Sequence, residues 1–329
     1  MQEIAAKISG FFQKISGEIY LWVAIFIYAS ASSFTRKLTL IGSQNLIDGK
    51  NPISFGSVLL VGNICGLFFL IFIHRHNLQF NYFKQLSRQD WLSVIAVAFL
   101  SGALAPSVTF EAISRTMVTN VILIGRIEVP LFLAMSVWLL REKVNIWKII
   151  GEFVSFVGVV VTVSLQALWE DISSPEIFNS MGIGEILTAV GAVAFASSSI
   201  ISKARLVTIP LGLFVVFRTT ISTVFLLIAA IYIYGRSYFK DVVLSPFLWQ
   251  WMLIYGAIIV ALAQTLWFAG LKKTSSSHVS VASAFSPIAA ILGAYIILGE
   301  VPTLAQIIGG GIIFVGIGLS HISHNPLSP

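Results

Sequence analysis

Four charged side chains stand inside long apolar runs of this chain: Arg126, Glu128, Glu152 and Arg218. A charge removed from water must be paired or must face a wet cavity, because apolar surroundings do not solvate it. Arg126 and Glu128 lie deepest, just before Pro130. Residues two apart are about 200° apart on a regular helix, so regular geometry sends each to a partner on another element. Proline donates no backbone hydrogen bond, so Pro130 is expected to free a carbonyl beside Arg126. A guanidinium next to irregular backbone suits the carboxylate or another anionic group of a bound molecule. A carboxyl in the same place can take up and release a proton, which is the role expected for Glu128. Glu152 comes early in its run and is expected to reach the interface. Arg218 is a further candidate anion ligand.

Uncharged polar groups could complete a binding site. Ser30, Ser32 and Ser33 mirror Ser197, Ser198 and Ser199 of the second half, and Asn120, Gln264, Ser280, Ser283 and Ser286 add to them. Tyr28 and Trp267 are the aromatic candidates for a cavity wall. Trp138, Phe285 and Tyr295 could serve too, although aromatics at span ends more often anchor a protein at the interface. The candidate substrate-binding set is Arg126, Glu128, Arg218, Tyr28, Asn120, Gln264, Trp267 and Ser283, with Glu128 as the candidate for proton coupling.

Other conspicuous residues read as structural. Glu142 and Glu300 occupy tight turns, where carboxylates favour helix N-termini; they are expected to be caps and anchors. Gly151 and Gly158 are seven apart, as are Gly309 and Gly316, and Gly62 and Gly66 form a GxxxG. Such faces let helices approach closely. His74 and His76 follow an apolar run and read as a wet helix end. The five histidines form no HExxH pattern, and the single cysteine, Cys65, excludes an internal disulfide or a Cys-based metal site. No catalytic residue, metal site or cofactor is expected.

These residues must be positioned by elements that suit the composition. Of 329 residues, 57% are hydrophobic and only 10% charged, against roughly 25% charged in soluble domains. Mean hydropathy is +0.92. Roughly 20 apolar residues span a bilayer as a helix. Ten such spans are expected: Glu18 to Phe34, Ile53 to Ile73, Trp91 to Phe110, Val118 to Leu140, Ile146 to Ala167, Met181 to Ile201, Leu211 to Tyr234, Trp249 to Ala269, His278 to Leu298 and Thr303 to Ser320. Ile4, Ile8, Phe11 and Ile15 share a helical face ahead of them, as in a helix lying on a membrane. With both termini cytoplasmic, twelve Lys and Arg fall inside and six outside, as cytoplasmic loops require. The net charge of +6 therefore points to topology, not to nucleic acid.

An internal repeat organises the spans. At an offset of 158, Glu142 falls on Glu300, Ile149-Ile150-Gly151 on Ile307-Ile308-Gly309, and Phe156-Val157-Gly158 on Phe314-Val315-Gly316. Near the start the offset is 167, with Gly17-Glu18-Ile19 on Gly184-Glu185-Ile186 and Arg36 on Lys203. Five spans per repeat is an odd number, so head-to-tail copies must be inverted, an arrangement typical of secondary transporters. The pattern breaks at Arg218, which falls on Leu60, and at Pro130 and Pro287, which are offset by 157.

The segment Leu139-Leu140-Arg141-Glu142, followed by Ile150-Gly151 and Phe156-Val157-Gly158, resembles the end of an EamA repeat. So does Leu298-Gly299-Glu300, followed by Ile308-Gly309 and Phe314-Val315-Gly316. Pro130 and Pro287 also fit. The chain is similar to ten-helix members of the drug/metabolite transporter superfamily. That resemblance implies an all-α polytopic membrane protein of two inverted five-helix repeats, and an exporter or exchanger of small metabolites.

The domain expectation is an interfacial segment at 1–17, a first repeat at 18–167, an external loop at 168–180, a second repeat at 181–320 and a tail at 321–329. The expected function is secondary active transport of a small organic solute by alternating access, in the cell membrane, not an enzyme activity. Amino acids, nucleotide-linked metabolites and drugs all remain open as substrates. The alternative is an intramembrane enzyme acting on a lipid or peptide; no span contains Asp, a metal-ligand pair or an evident Ser/His pairing. An ATP-driven pump is excluded by the missing GxxxxGK[ST] loop. The partners expected are the solute and the bilayer, without nucleic acid; a monomer suffices.

Overall fold

A computed structural model describes residues 16–47, 51–75, 86–113, 115–116, 118–169, 182–238 and 245–322. Most of the expected N-terminal surface segment, of the acidic connection and of the C-terminal tail lies outside these residues. The described residues form helices and no β-strand. The first half holds α1 (Gly17–Ser43), α2 (Phe55–His74), α3, α4 (Val118–Gly125), α5 (Glu128–Leu139) and α6 (Ile146–Trp169). The second holds α7 (Ile183–Arg205), α8 (Leu211–Tyr238), α9, α10 (Ser276–Ala284), α11 (Ser286–Leu298) and α12 (Leu304–Ile322). Helix α3 runs Arg88–Phe99, widens into a π-helical stretch at Leu100–Leu104, and resumes as Ala105–Ile113. Helix α9 does the same, as Pro246–Tyr255, Gly256–Ala263 and Gln264–Lys273.

Seven helices among the described residues are long and apolar enough to cross a membrane: α1, α2, α3, α6, α7, α8 and α9. Helices α10 and α11 together meet that test as one span bent by 41°, while α5 and α12 are shorter apolar helices. The outer surface is apolar, with Phe153 67%, Ile296 68% and Trp138 78% exposed. Water would not tolerate that surface, and lipid does.

Two stretches expected as single spans are broken. Val118 to Leu140 divides at Arg126–Ile127, and His278 to Leu298 divides at Phe285. A proline follows each break by two or three residues and lacks the N–H that would bond the carbonyl four residues back. At the first break the orphaned acceptor is satisfied locally. The Val129 N–H donates to the Arg126 carbonyl at 3.2 Å, so that carbonyl is not free as expected.

Helix ends follow ordinary capping chemistry. Ser54 and Ser57 make a capping box at α2, and Ser87 and Asp90 make one at α3; such caps stabilise by about 1 kcal/mol each. The turn after α11 places Gly299 at φ 71°, and the turn after α5 places Arg141 at φ 54°. The two positions are 158 apart, so one left-handed turn recurs in both halves.

The glycine faces pack as expected. A side chain at Gly158 would lie 2.8 Å from the Gly309 carbonyl oxygen, and one at Gly309 would lie 2.6 Å from the Gly158 carbonyl oxygen. Helices α6 and α12 therefore meet backbone to backbone. Gly66 meets Val260 and Gly256 on the π-helical stretch of α9 in the same manner.

Contacts recur when the halves are exchanged. Helix α1 packs on α11 and on the end of α9, and α7 packs on α5 and on the end of α3. Helix α2 packs on the π-helical stretch of α9, and α8 on that of α3. The pairs α2–α8 and α6–α12 map onto themselves.

Candidate functional site

The broken and widened helices converge on one cavity of about 420 Å³, within the range of small-molecule sites. Seven of the eight residues singled out from sequence line it: Arg126, Glu128, Arg218, Tyr28, Gln264, Trp267 and Ser283. The eighth, Asn120, lies in α4, and its side chain is outside what the structure describes.

Arg218, on α8, is held by a fixed set of polar groups. Its Nη1 donates to Gln264 Oε1 at 2.8 Å and its Nη2 to Ser101 Oγ at 3.0 Å. Gln264 is itself oriented, because its Nε2 donates to Thr219 Oγ1 at 2.7 Å. Ser101 accepts a second hydrogen bond from the Ser198 hydroxyl at 2.7 Å and donates to the Val97 carbonyl at 3.0 Å. The guanidinium also lies over the Phe268 ring, 5.7 Å from its centroid. Every one of these partners is neutral. The charge is solvated by dipoles and a π face, while its Nε has no hydrogen-bond partner.

The two π-helical stretches explain the placement. Ser101 sits within the first, and Gln264 directly follows the second. Such stretches interrupt the regular ladder and are frequent at functional sites. The Ser222 hydroxyl donates to the Ala98 carbonyl at 3.0 Å, which satisfies an acceptor beside the first. At offset 158 the counterparts of Arg218, Gln264 and Ser101 are Leu60, Pro106 and Ile259. The cavity therefore breaks the symmetry of the fold and is polar on one side.

Arg126 occupies the break between α4 and α5. Its Nη1 donates to Ser286 Oγ at 3.2 Å, across to the break between α10 and α11. Glu128 opens α5 and lines the same cavity. Regular geometry would have turned the two side chains apart; the break brings both to one space. Among the described residues, neither makes an ion pair within 4 Å.

Sequence reasoning missed Asn63, Tyr255, Ser101 and Ser202, which also line the cavity. Tyr255 immediately precedes the π-helical stretch of α9, and no periodicity in the sequence marks that stretch. Ser198 and Ser199 line the cavity, whereas Ser30 borders a separate apolar pocket. Trp138 and Tyr295 are exposed on the outer face, and Phe285 packs edge-on against Trp22.

Three structural expectations change. Glu152 does not reach the interface; it is 6% exposed and its Oε1 has no hydrogen-bond partner. His74 is buried, with its ring 3.5 Å from Thr265 Oγ1, because α8 packs over it at Gly212; His76 lies outside the described residues. Glu142 does cap a helix, but a distant one: its Oε2 accepts from the Ser276 N–H at the start of α10, at 2.8 Å.

Charged pairs stand at both ends of the molecule. At one end Lys203 lies 3.6 Å from Glu142, with side chains 10% and 25% exposed. Lys203 also donates to the Thr274 and Leu271 carbonyls. At the other end Arg36 pairs with Glu300 at 2.7 Å, with side chains 65% and 45% exposed. These are the same two positions of each repeat, Arg36 matching Lys203 and Glu300 matching Glu142. Near the Lys203 end, Leu21, Leu70, Val94, Leu206, Phe214 and Leu271 belong to one buried cluster that joins both halves. Near the Arg36 end, a smaller cluster of Leu38, Ile53, Val58, Leu248 and Met252 joins α1, α2 and the turn before it to α9.

The family model of EamA-like transporters matches this chain twice, over residues 15–164 and 182–321. The chain belongs to the EamA-like transporter family. An uncharacterized transporter of Synechocystis sp. is 40% identical to it over 98% of this chain and 92% of that protein. An uncharacterized transporter of Archaeoglobus fulgidus is 27% identical over 71% of this chain and 77% of its own. A solved crystal structure superposes with a TM-score of 0.71 at 15% identity, covering 93% of this chain and 96% of that one, which is a likeness of fold. The chain is thus a multi-pass membrane transporter, and the cavity just described is the place to look for its cargo.

Proposed function

We propose that this transporter is a secondary carrier for a small organic solute with an anionic group, working by alternating access between two inverted five-span halves. The observation that carries the reading is the cavity itself. Two guanidinium groups and one carboxyl border a space of about 420 Å³, and the one that is fully positioned, Arg218, is held only by neutral dipoles. A neutral first layer leaves the charge uncompensated, and an anion is what compensates it. The planar fork suits a carboxylate or phosphate. Glu128, which lines the same cavity, suits a proton or a cationic end of the same solute.

Ten crossings follow if α4 with α5, and α10 with α11, each count as one broken span and α12 as a short one. The exchange of contacts between halves supports inversion, as do the two matches of the family model. Broken helices facing a midplane site are the usual construction of such carriers. The unequal burial of the two charged pairs supports a state closed at the Lys203 end. The twelve-to-six distribution of Lys and Arg favours that end as the cytoplasmic one, with the cell membrane as the setting.

The test is uptake into proteoliposomes of a panel of amino acids, carboxylates, phosphorylated metabolites and neutral drugs, with and without a pH gradient. Anionic or zwitterionic solutes should be carried and uncharged ones should not. Glu128→Gln should keep counterflow exchange and lose accumulation driven by the pH gradient. Transport of neutral solutes that survives Arg218→Gln would overturn the reading.

A further inference from the structure

Glu152 is not explained by the cavity, since it does not line it. It lies on α6, about 9 Å along the helix from its start near the Glu142 end. Its carboxyl is buried and Oε1 is without a partner. The Ser280 hydroxyl of α10 faces that carboxyl and is buried without any other partner. An unmet polar group in a dry interior is costly, and more so if charged, so this pair calls for a proton or a water.

Two small voids flank this pair. One of about 20 Å³ is lined by Glu152, Ser155, Ser283 and Arg126. The other, about 10 Å³, is lined by Glu128, Ser199, Ser280 and Ser283. A space of roughly 10–15 Å³ on this measure holds one water. Ser280 and Ser283, on one face of α10, therefore stand between the two carboxyls, with room for a water on the Arg126 side. The charged groups around Glu152 are few. Arg126 shares its void from the α4–α5 break, and Glu128 lies beyond the serines on α5. On α10, His278 is engaged with Glu18 at 3.3 Å. Helix α12 presents glycines, Ile313 and Ser320 to α6, and Lys148 is half-buried on α6 itself.

We propose that Glu152 is a second proton-binding site, separate from the solute cavity and connected to Glu128 through Ser280, Ser283 and a water. This rests on the reading of Glu128 as the proton carrier. A proton leaves the Glu128 carboxyl and passes along the hydroxyl and water oxygens, each accepting one proton and releasing another. It arrives on the Glu152 carboxylate, leaving Glu128 ionised, so charge and atoms balance. The arrangement moves the proton out of the solute's space and nearer the Lys203 end, from which it is released once that end opens. Solute and proton then do not compete for one pocket.

The experiment is infrared difference spectroscopy of the full-length protein in lipid nanodiscs, titrated with protons alone, following the carbonyl stretch of protonated carboxyls. Two bands should disappear as pH rises, one missing in Glu128→Gln and the other missing in Glu152→Gln. Ser280→Ala keeps the carboxyl and removes its hydroxyl neighbour, so it should shift the Glu152 band even if Glu152→Gln fails to fold. A Glu128 band that titrates while neither Glu152→Gln nor Ser280→Ala alters the spectrum would overturn this inference and leave the Glu128 reading intact. A Glu128 band that never titrates, beside a titrating Glu152, would overturn the Glu128 reading and the connection between the sites. A band that responds to sodium at constant pH would make Glu152 a metal-cation site and overturn the proton assignment.

Discussion

Neutralising Glu142 should open the Lys203 end far more than neutralising Glu300 opens the other. Lys203 and Glu142 are 10% and 25% exposed and 3.6 Å apart, and Glu142 also holds the Ser276 N–H. Removing one partner of a buried pair costs about 3–5 kcal/mol. Lys203 keeps two carbonyl acceptors in Glu142→Gln, and some water reaches the pair, so about 2–3 kcal/mol is the appropriate figure. If that cost falls on the closed state alone, the ratio of open to closed molecules rises roughly 30- to 150-fold. Arg36 and Glu300 are 65% and 45% exposed, where a pair contributes at most about 1 kcal/mol, or roughly fivefold. The assay is the rate at which an impermeant thiol reagent modifies Ser202→Cys, a cavity residue near the Lys203 end. Cys65 is the only native cysteine and is buried, so Cys65→Ala provides a clean background. Glu142→Gln should speed labelling from the Lys203 side strongly, and Glu300→Gln should leave it nearly unchanged. Equal effects of the two variants, or none from Glu142→Gln, would refute the assignment of the closed end.

Arg126→Leu should abolish transport in a protein that still folds, checked by uptake beside thermal melting, because a cation held by a single hydroxyl is lost. Arg126→Lys should recover little, since the planar fork is gone. Gly158→Leu should lower the melting temperature by several degrees without touching the cavity, because its Cβ would lie 2.8 Å from the Gly309 carbonyl oxygen and α6 would be forced off α12. Reporter fusions at Ser87 and Ser173 should read cytoplasmic and external respectively; the reverse would overturn the orientation.

How much of the site was legible depends on the kind of signal. Arg126, Glu128 and Arg218 announce themselves because charge in an apolar run is costly, and only a cavity or a partner allows it. Pro130 and Pro287 foretell irregular backbone, since a missing N–H must disrupt the ladder. Ser101 and Tyr255 carry no such mark. They reach the cavity because α3 and α9 widen into π-helical turns, and the packing of Gly66 on Gly256 and of Ser222 on Ala98 accompanies that geometry. Glu152 was misjudged for a related reason. Distance from a helix end measures depth, but α10 and α12 decide whether water reaches the side chain.

Composition and repeat determine that the chain is a bundle of apolar helices in two copies, because lipid demands helices and the 158-residue offset matches residue to residue. Spacing alone also marks close-packing faces on α6 and on α12, since glycines seven apart share one side of a helix; that these two faces meet each other is tertiary. Tertiary structure decided the rest. Glu142 caps α10 and Arg126 reaches Ser286, contacts across 134 and 160 residues that no local pattern encodes. Helices α4 and α5 break at Arg126, so two side chains that regular geometry separates share one cavity. Periodicity describes a helix as though it were straight and alone; the site exists where two helices are bent and two are widened against each other.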